Sequence, residues 1–397
     1  MNETRLISNS VPGRYGLRHR SLDEGAHEPF CGSYARDDCE FLLKPLQMTS
    51  LAVEKKEALI QSGARHYSEL LTFERLPDPR YVDLFLDLTQ RYAKRMATDV
   101  VTLAQHIDAS RCGPLTIASL ARAGTPVGAL LTRALRDLLH RDVRHYSLSI
   151  IRERGIDENA LRYVLDVDKR PACGVVFVDA WTAKGVIGQT LTSAISAWNA
   201  RYPEAQLDPS LHVLSDISGT AAVAANHDDY AIPSGILNAT VSGLVSRSVL
   251  NDQLGESDFH GCVFYDEFVE EDRSTWFLEQ ISQEFQHVTK KPLPRPGEKS
   301  ARARDTAVWV STCMASHNLT DINLIKPGIA EATRVLLRRV PELVIVQDRE
   351  DPDVRHLLAL AEAGNVRIKR DATMPFRAVS LIRSLAGDAA TSTGMAG

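Results

Sequence analysis

Two short segments carry side chains whose types and spacing suit a phosphorylated ligand. The first, Ala121-Arg122-Ala123-Gly124-Thr125-Pro126, follows the apolar run PLTIASL. Gly124 permits a tight turn and close backbone approach. Thr125 is a natural helix cap and Pro126 sits well at a first helical position. Arg122 sets a fork-shaped cation beside exposed amides, a combination suited to pyrophosphate. The second segment, Asp179-Ala180-Trp181-Thr182-Ala183-Lys184-Gly185, follows GVVFV. Asp179 is placed to accept hydrogen bonds from sugar hydroxyls or to hold a metal. Thr182, Ala183, Lys184 and Gly185 can wrap a phosphate with backbone amides at a helix start, and Lys184 adds a point charge. Each segment also has an ordinary reading: a small-residue turn into a helix, and an aspartate that caps its own turn.

The elements that must position these turns alternate between strand and helix. Apolar runs at Pro114–Leu120, Tyr146–Ile151, Gly174–Val178 and Leu211–Leu214 read as buried strands. Pro126–Leu139 and Val186–Trp198 read as crossover helices. Short apolar runs followed by helical patterns predict a parallel sheet and the α/β class. In such a sheet ligands bind beyond the carboxyl ends of the strands, where both segments fall.

Composition is that of an ordinary globular chain, 44% hydrophobic and 24% charged over 397 residues, enough for two domains. No stretch approaches the roughly 18 apolar residues of a membrane helix. The N-terminal MNETRLISNS lacks an apolar block, and the six cysteines include no C-x-x-C pair. A cytoplasmic protein with free thiols is expected. The net charge of −5 is uneven: residues 1–289 hold 29 basic and 39 acidic side chains, residues 290–304 six and one, residues 305–397 eleven of each. The basic, proline-rich KKPLPRPGEKSARAR at 290–304 reads as a linker. It would join a main domain at 31–289 to a small one at 305–386, with flexible ends at 1–30 and 387–397.

The two turns taken together resemble those of the type I phosphoribosyltransferases, in which one loop grips pyrophosphate and a later acidic strand end and Thr/Gly loop hold the ribose 5-phosphate. ASLARAGTPVG resembles the first element and VVFVDAWTAKG the second. The resemblance implies a parallel sheet with flanking helices and a hood. It also implies phosphoribosyl pyrophosphate as substrate and a magnesium ion carried with it. Arg122 and Asp179 would carry the chemistry, with Ala123, Gly124 and Thr125 on the pyrophosphate. The family usually has two adjacent acids after the strand; here the second position is Ala180. The motifs LARAGTPVG, HYSLSIIRERGID, FVDAWTAKG, DDYAIPSGILNATVSGLVSR and GSYARDDCEFLLKPL together resemble a bacterial phosphoribosyltransferase-like family of tellurite-resistance and stress gene clusters, which also carries the label cysteine protease StiP.

Within that likeness, Arg152 and Arg154 would lie on a segment closing over the sugar phosphate, or on a solvated loop. Residues 230–250 read as an apolar helix capped by Ser234, either core or pocket lining through Asn238, Ser242 and Arg247. The C-terminal residues read as a small α/β sandwich: a helix within Leu324–Arg339, a strand at Leu343–Val346, a helix at Pro352–Ala361 and a strand at Val366–Lys369. It resembles the Pelota-like RNA-binding domain. The resemblance implies RNA contacts through Lys326, Gly328, Glu331 and Arg334, with Arg338 and Arg339 reaching phosphates; a partner-binding or purely structural unit is the alternative.

Three functions follow: a transferase that glycosylates a base or nucleoside-like acceptor, a non-catalytic sensor of phosphoribosyl pyrophosphate that binds RNA, and a cysteine protease. For the protease, Cys31, with His27 upstream, is the least poor nucleophile, and no family signature surrounds it.

Overall fold

Buried apolar strands organise residues 28–230 around one six-stranded sheet, seen in a computed structural model that describes residues 28–383. The strands are β1 (Glu40–Leu42), β2 (Leu115–Leu120), β3 (Val143–Leu148), β4 (Val175–Thr182), β5 (Leu211–Asp216) and β6 (Val223–Asn226). Their order in space is β1-β3-β2-β4-β5-β6, and every pairing is parallel. All six residues of β2 are buried, as expected where helices cover both faces. Long helix α1 (Pro79–Ser110) and α2 (Gly124–Arg133) pack on one side. The other side is covered by α3 (Val186–Arg201), whose Leu191, Ile195 and Trp198 share a core with Phe177 and Val213. The chain leaves β2 toward β3 on one side and later enters β4 on the other. The crevice between the ends of β2 and β4 is therefore the switch point where open sheets take ligands.

The small C-terminal unit is a four-stranded sheet, from β7 (Ile325–Pro327), β8 (Pro341–Val346), β9 (Arg367–Arg370) and β10 (Ala378–Ile382), in the order β7-β10-β8-β9. Helix α4 (Pro296–Ser316) precedes it; α5 (Ile329–Arg338) and α6 (Arg355–Ala363) lie within it. Ile329, Ala330, Val344 and Ala378 belong to the same core as Tyr230 and Ile232, so the two units share apolar interior.

Two expectations are corrected. The stretch 230–250 is not a helix: it contains only 3-10 turns at Pro233–Gly235 and Ala239–Val241, with Gly243 and Leu244 at positive φ. Ser234 caps nothing; its buried hydroxyl has no partner. The linker reading fails from Pro296 onward, because Pro296 starts α4 and the Glu298 side chain accepts from the Arg295 N–H at 3.3 Å. The helix expected within Leu324–Arg339 is present as α5, capped by Gly328 and preceded by strand β7. Residues 1–27, including His27, the tail after 383 and the Arg338 side chain lie outside what is described. Among the described residues no helix is long and apolar enough to cross a membrane.

Candidate functional site

The turns after β2 and β4 meet. A Cβ added to Gly124 would sit 2.8 Å from the Val178 carbonyl oxygen and 3.4 Å from Asp179 Oδ1, so only glycine allows α2 to start against the end of β4. The Ala121–Arg122 peptide is cis. Arg122 is buried, 7% exposed. Its guanidinium pairs with Glu74 at 2.5 Å and donates to the Val245 carbonyl at 3.0 Å.

Several expected side chains have other employment. Thr125 is not the cap of α2: Ala123 holds that position, and the buried Thr125 hydroxyl bonds Ser147 Oγ at 2.7 Å. Thr182 is the last residue of β4 and faces Thr220, 3.5 Å away. Lys184 does not point into a phosphate loop. Its ammonium donates to the carbonyls of Ile322 and Ile325 at 2.7 and 2.8 Å, and Ala183 packs on the C-terminal core. Gly185, at φ 75°, is the N-cap of α3, and Thr220 fills the space a Cβ would need. That threonine is set by Asp216, which accepts from the N–H groups of Ser218, Thr220 and Ala221.

Asp179 is partly buried and accepts the Ala180 N–H at 2.8 Å. Burial pushes its carboxyl up to about 7, against the pull of that N–H and of Arg334. Ala180 stands where a second acid would be, and among the described residues no three or more histidine, cysteine, aspartate or glutamate side chains gather as a metal site. Arg334 comes from the C-terminal unit. It lies 4.6 Å from the centre of the Trp181 ring and pairs with Glu331 at 3.2 Å. Lys326 stands close enough to Lys184 to lower it; burial is the larger cause, and Lys184 falls to about 7. Lys326 itself drops to about 8 through burial, with Arg152 and Arg339 opposing its charge.

The floor is closed by two further arginines around Tyr67. Arg152 lies 4.6 Å from the ring centre and Arg247 5.6 Å. Arg152 also reaches Asn323 of the C-terminal unit, and its own N–H donates to the Tyr67 hydroxyl at 2.8 Å. It stands on a hairpin of Ile150–Ile151 and Gly155–Ile156, whose Arg154 turns away to Glu69 at 2.5 Å. Arg247 donates to the carbonyls of Tyr67 and Leu70, and burial lowers it to about 10. Ser242 donates to the Asn238 carbonyl at 2.7 Å, while Asn238 Oδ1 is buried without a partner.

The C-terminal helix start, read as RNA-facing, is turned toward the first unit. Gly328, at φ 92°, abuts Ile217, and Lys326, Glu331 and Arg334 face the sheet crevice rather than solvent at large. The reason is a clamp that sequence reasoning missed. Buried Asp229 accepts the N–H of Ile329, the first residue of α5, and of Arg377 just before β10, both at 2.9 Å. Other missed residues are Glu74, Glu57, which pairs with Arg339 at 2.5 Å, and Trp181. Trp181 and Asp229 stood inside recognised motifs; nothing local marked the two glutamates.

Residues 32–282 match the family model described as tellurite-like stress resistance cysteine protease StiP, and residues 304–384 the PELOTA RNA binding domain. The protein named Cysteine protease StiP of Acinetobacter baylyi (strain ATCC 33305 / BD413 / ADP1) is 38% identical over 373 residues, spanning 90% of this chain and 95% of that one. The chain belongs to the StiP family. Among solved structures, an alanine mutant from a study of an invariant aspartic acid in HPRTs is 18% identical over 44% of this chain and 93% of that one, with a TM-score of 0.25. A hypothetical protein from Neisseria gonorrhoeae with bound ppGpp is 12% identical over 30% and 66%, with a TM-score of 0.20. Likenesses this slight bear on neither fold nor site.

In this member of the StiP family, burial holds four of the six thiols toward their protonated form. Burial raises Cys31 and, further, Cys39 and Cys262, and takes Cys313 to about 11. Among the described residues no cysteine hydrogen-bonds a histidine, whereas a nucleophilic thiol needs a lowered pKa and a nearby base.

Proposed function

We propose that the crevice between β2 and β4 binds phosphoribosyl pyrophosphate and that the protein transfers or senses its ribosyl group. The observation carrying this reading is the direct contact of the Gly124 turn with Asp179 at the sheet's switch point, under a roof of cations. Displacement at the anomeric carbon builds positive charge on the sugar and negative charge on departing pyrophosphate. Preorganised charges of both signs are what such a step requires. Asp179 would accept from ribose hydroxyls, and Arg122 would stand over the phosphates. Magnesium would arrive with the substrate. The acceptor would be a base or nucleoside-like compound.

The test is titration calorimetry of the full chain with phosphoribosyl pyrophosphate and magnesium, followed by pyrophosphate release with candidate bases. Binding without release in any acceptor's presence selects the sensor; no binding removes the reading. The match of residues 304–384 to an RNA-binding domain supports RNA as a partner. With the start of α5 turned inward, the exposed Arg349, Arg355, Lys369 and Arg370 near edge strand β9 are among the side chains left to meet phosphates. The relative's name supports a cysteine protease as the second reading, and proteolysis that survived replacement of all six cysteines with serine would exclude a cysteine nucleophile.

A further inference from the structure

The cations around the crevice come from both units of the chain. The first contributes Arg122, Arg152, Lys184 and Arg247; the second contributes Lys326, Arg334 and Arg339. Against these stand Glu74, Glu57 and Glu331, which pair with Arg122, Arg339 and Arg334, together with Asp321 near both lysines and the partly buried Asp179. These carboxylates are fewer than the cations, which leaves an excess of positive charge in the crevice. Gathering unpaired like charges in a partly desolvated space is costly unless a ligand neutralises them.

Two donors show where that ligand would lie. The Lys326 ammonium makes no hydrogen bond or ion pair among the described residues, although Arg152, Arg339 and Lys184 crowd it. The Arg334 Nε is buried without a partner, while its Nη1 holds Glu331 and its plane lies on Trp181. Both project from the β7–α5 junction that Asp229 fixes against the first unit.

We propose that Lys326 and Arg334 are ligand-binding residues of the crevice, and that the C-terminal unit supplies half of a composite site for a sugar bearing more than one phosphate group. This rests on the reading above and extends it. The unit that matches an RNA-binding model completes a small-molecule site, and that ligand and domain closure are linked. A ligand held from both sides would bind only the docked arrangement.

The experiment uses the full chain and two probes, phosphoribosyl pyrophosphate with magnesium and inorganic pyrophosphate, in titration calorimetry at two salt concentrations. Lys326→Gln breaks no internal bond and is the clean variant; Lys326→Arg keeps the charge; Arg334→Gln removes the second donor. Arg367→Gln, at an exposed pair with Glu342, is the control. The expected result is at least a tenfold loss of affinity for Lys326→Gln and Arg334→Gln, recovery in Lys326→Arg, and no change in the control. If the wild type binds the probes and Lys326→Gln binds them equally well, the composite site is wrong and the proposed function stands. If the wild type binds neither probe, both fall. If the two variants lose affinity for an oligoribonucleotide and keep it for the probes, the inward-facing cations serve RNA and the inference is overturned.

Discussion

Removing the Asp229 carboxylate should loosen the C-terminal unit from the sheet domain. Asp229→Ala leaves the N–H groups of Ile329 and Arg377, each now bonded at 2.9 Å, without an acceptor in a buried place. A buried unsatisfied donor costs about 1–3 kcal/mol, so the pair predicts a loss of about 3 kcal/mol at pH 7.5. The pH dependence follows from burial, which holds Asp229 at about 6 against 3.8 in the unfolded chain. Between those values the folded protein binds the proton more tightly, so this group's contribution to wild-type stability falls as pH rises from about 4 to 6. The variant lacks that slope. The gap between wild type and Asp229→Ala should therefore widen toward pH 4.5, by about 2 kcal/mol, since that pH lies about 1.5 pH units below the folded value. Urea unfolding at pH 7.5 and 4.5 measures the gap, and hydrogen exchange of amides 329–332 and 377–378 locates it. A variant within 0.5 kcal/mol of wild type at both pH values, with unchanged protection there, would refute the clamp.

Lys184→Met should remove a pH slope of the opposite sign. Lys184 sits at about 7 against 10.5 when unfolded, so the unfolded chain binds more protons between these values and stability rises with pH; unfolding at pH 7.5 and 9.5 should show a smaller rise in the variant. Gly124→Ala forces a Cβ to 2.8 Å from the Val178 carbonyl, which should cost about 1–3 kcal/mol by thermal unfolding and abolish binding of phosphoribosyl pyrophosphate. Glu74→Gln strips the buried Arg122 of its counter-charge and should cost about 3 kcal/mol, whereas the double variant Glu74→Gln with Arg122→Met should recover part of that loss.

Much of the sheet could be read from the sequence because parallel strands buried on both faces leave short, unbroken apolar runs such as GVVFV. The crevice followed from the turns after those runs. Residues 230–250 were misread because nearly every side chain there is buried, so no polar face marks a period. Gly243, pressed against Phe41 and Tyr34, breaks the helix the composition suggests. At 290–304 the prolines signalled a loop, yet Pro296 followed by Glu298 is a helix start. The fates of Thr125, Thr182 and Lys184 could not be foreseen, since their partners, Ser147, Thr220 and the Ile322–Ile325 turn, come from remote stretches of chain. The inward turn of Lys326 and Arg334 depends likewise on Asp229, about a hundred positions earlier.

The shared interior has a consequence for anyone who would study the halves apart. Ala330 fits against Gly235 and Trp181, and Ile217 lies among Val310, Ile345 and Phe376. Cutting the polypeptide near residue 290 would leave oily scars on both fragments, and each would tend to clump rather than report on its own chemistry. Loss of function in a truncated form would then measure poor solubility, and assigning catalysis to one piece and nucleic-acid contact to the other calls for point changes in the intact molecule.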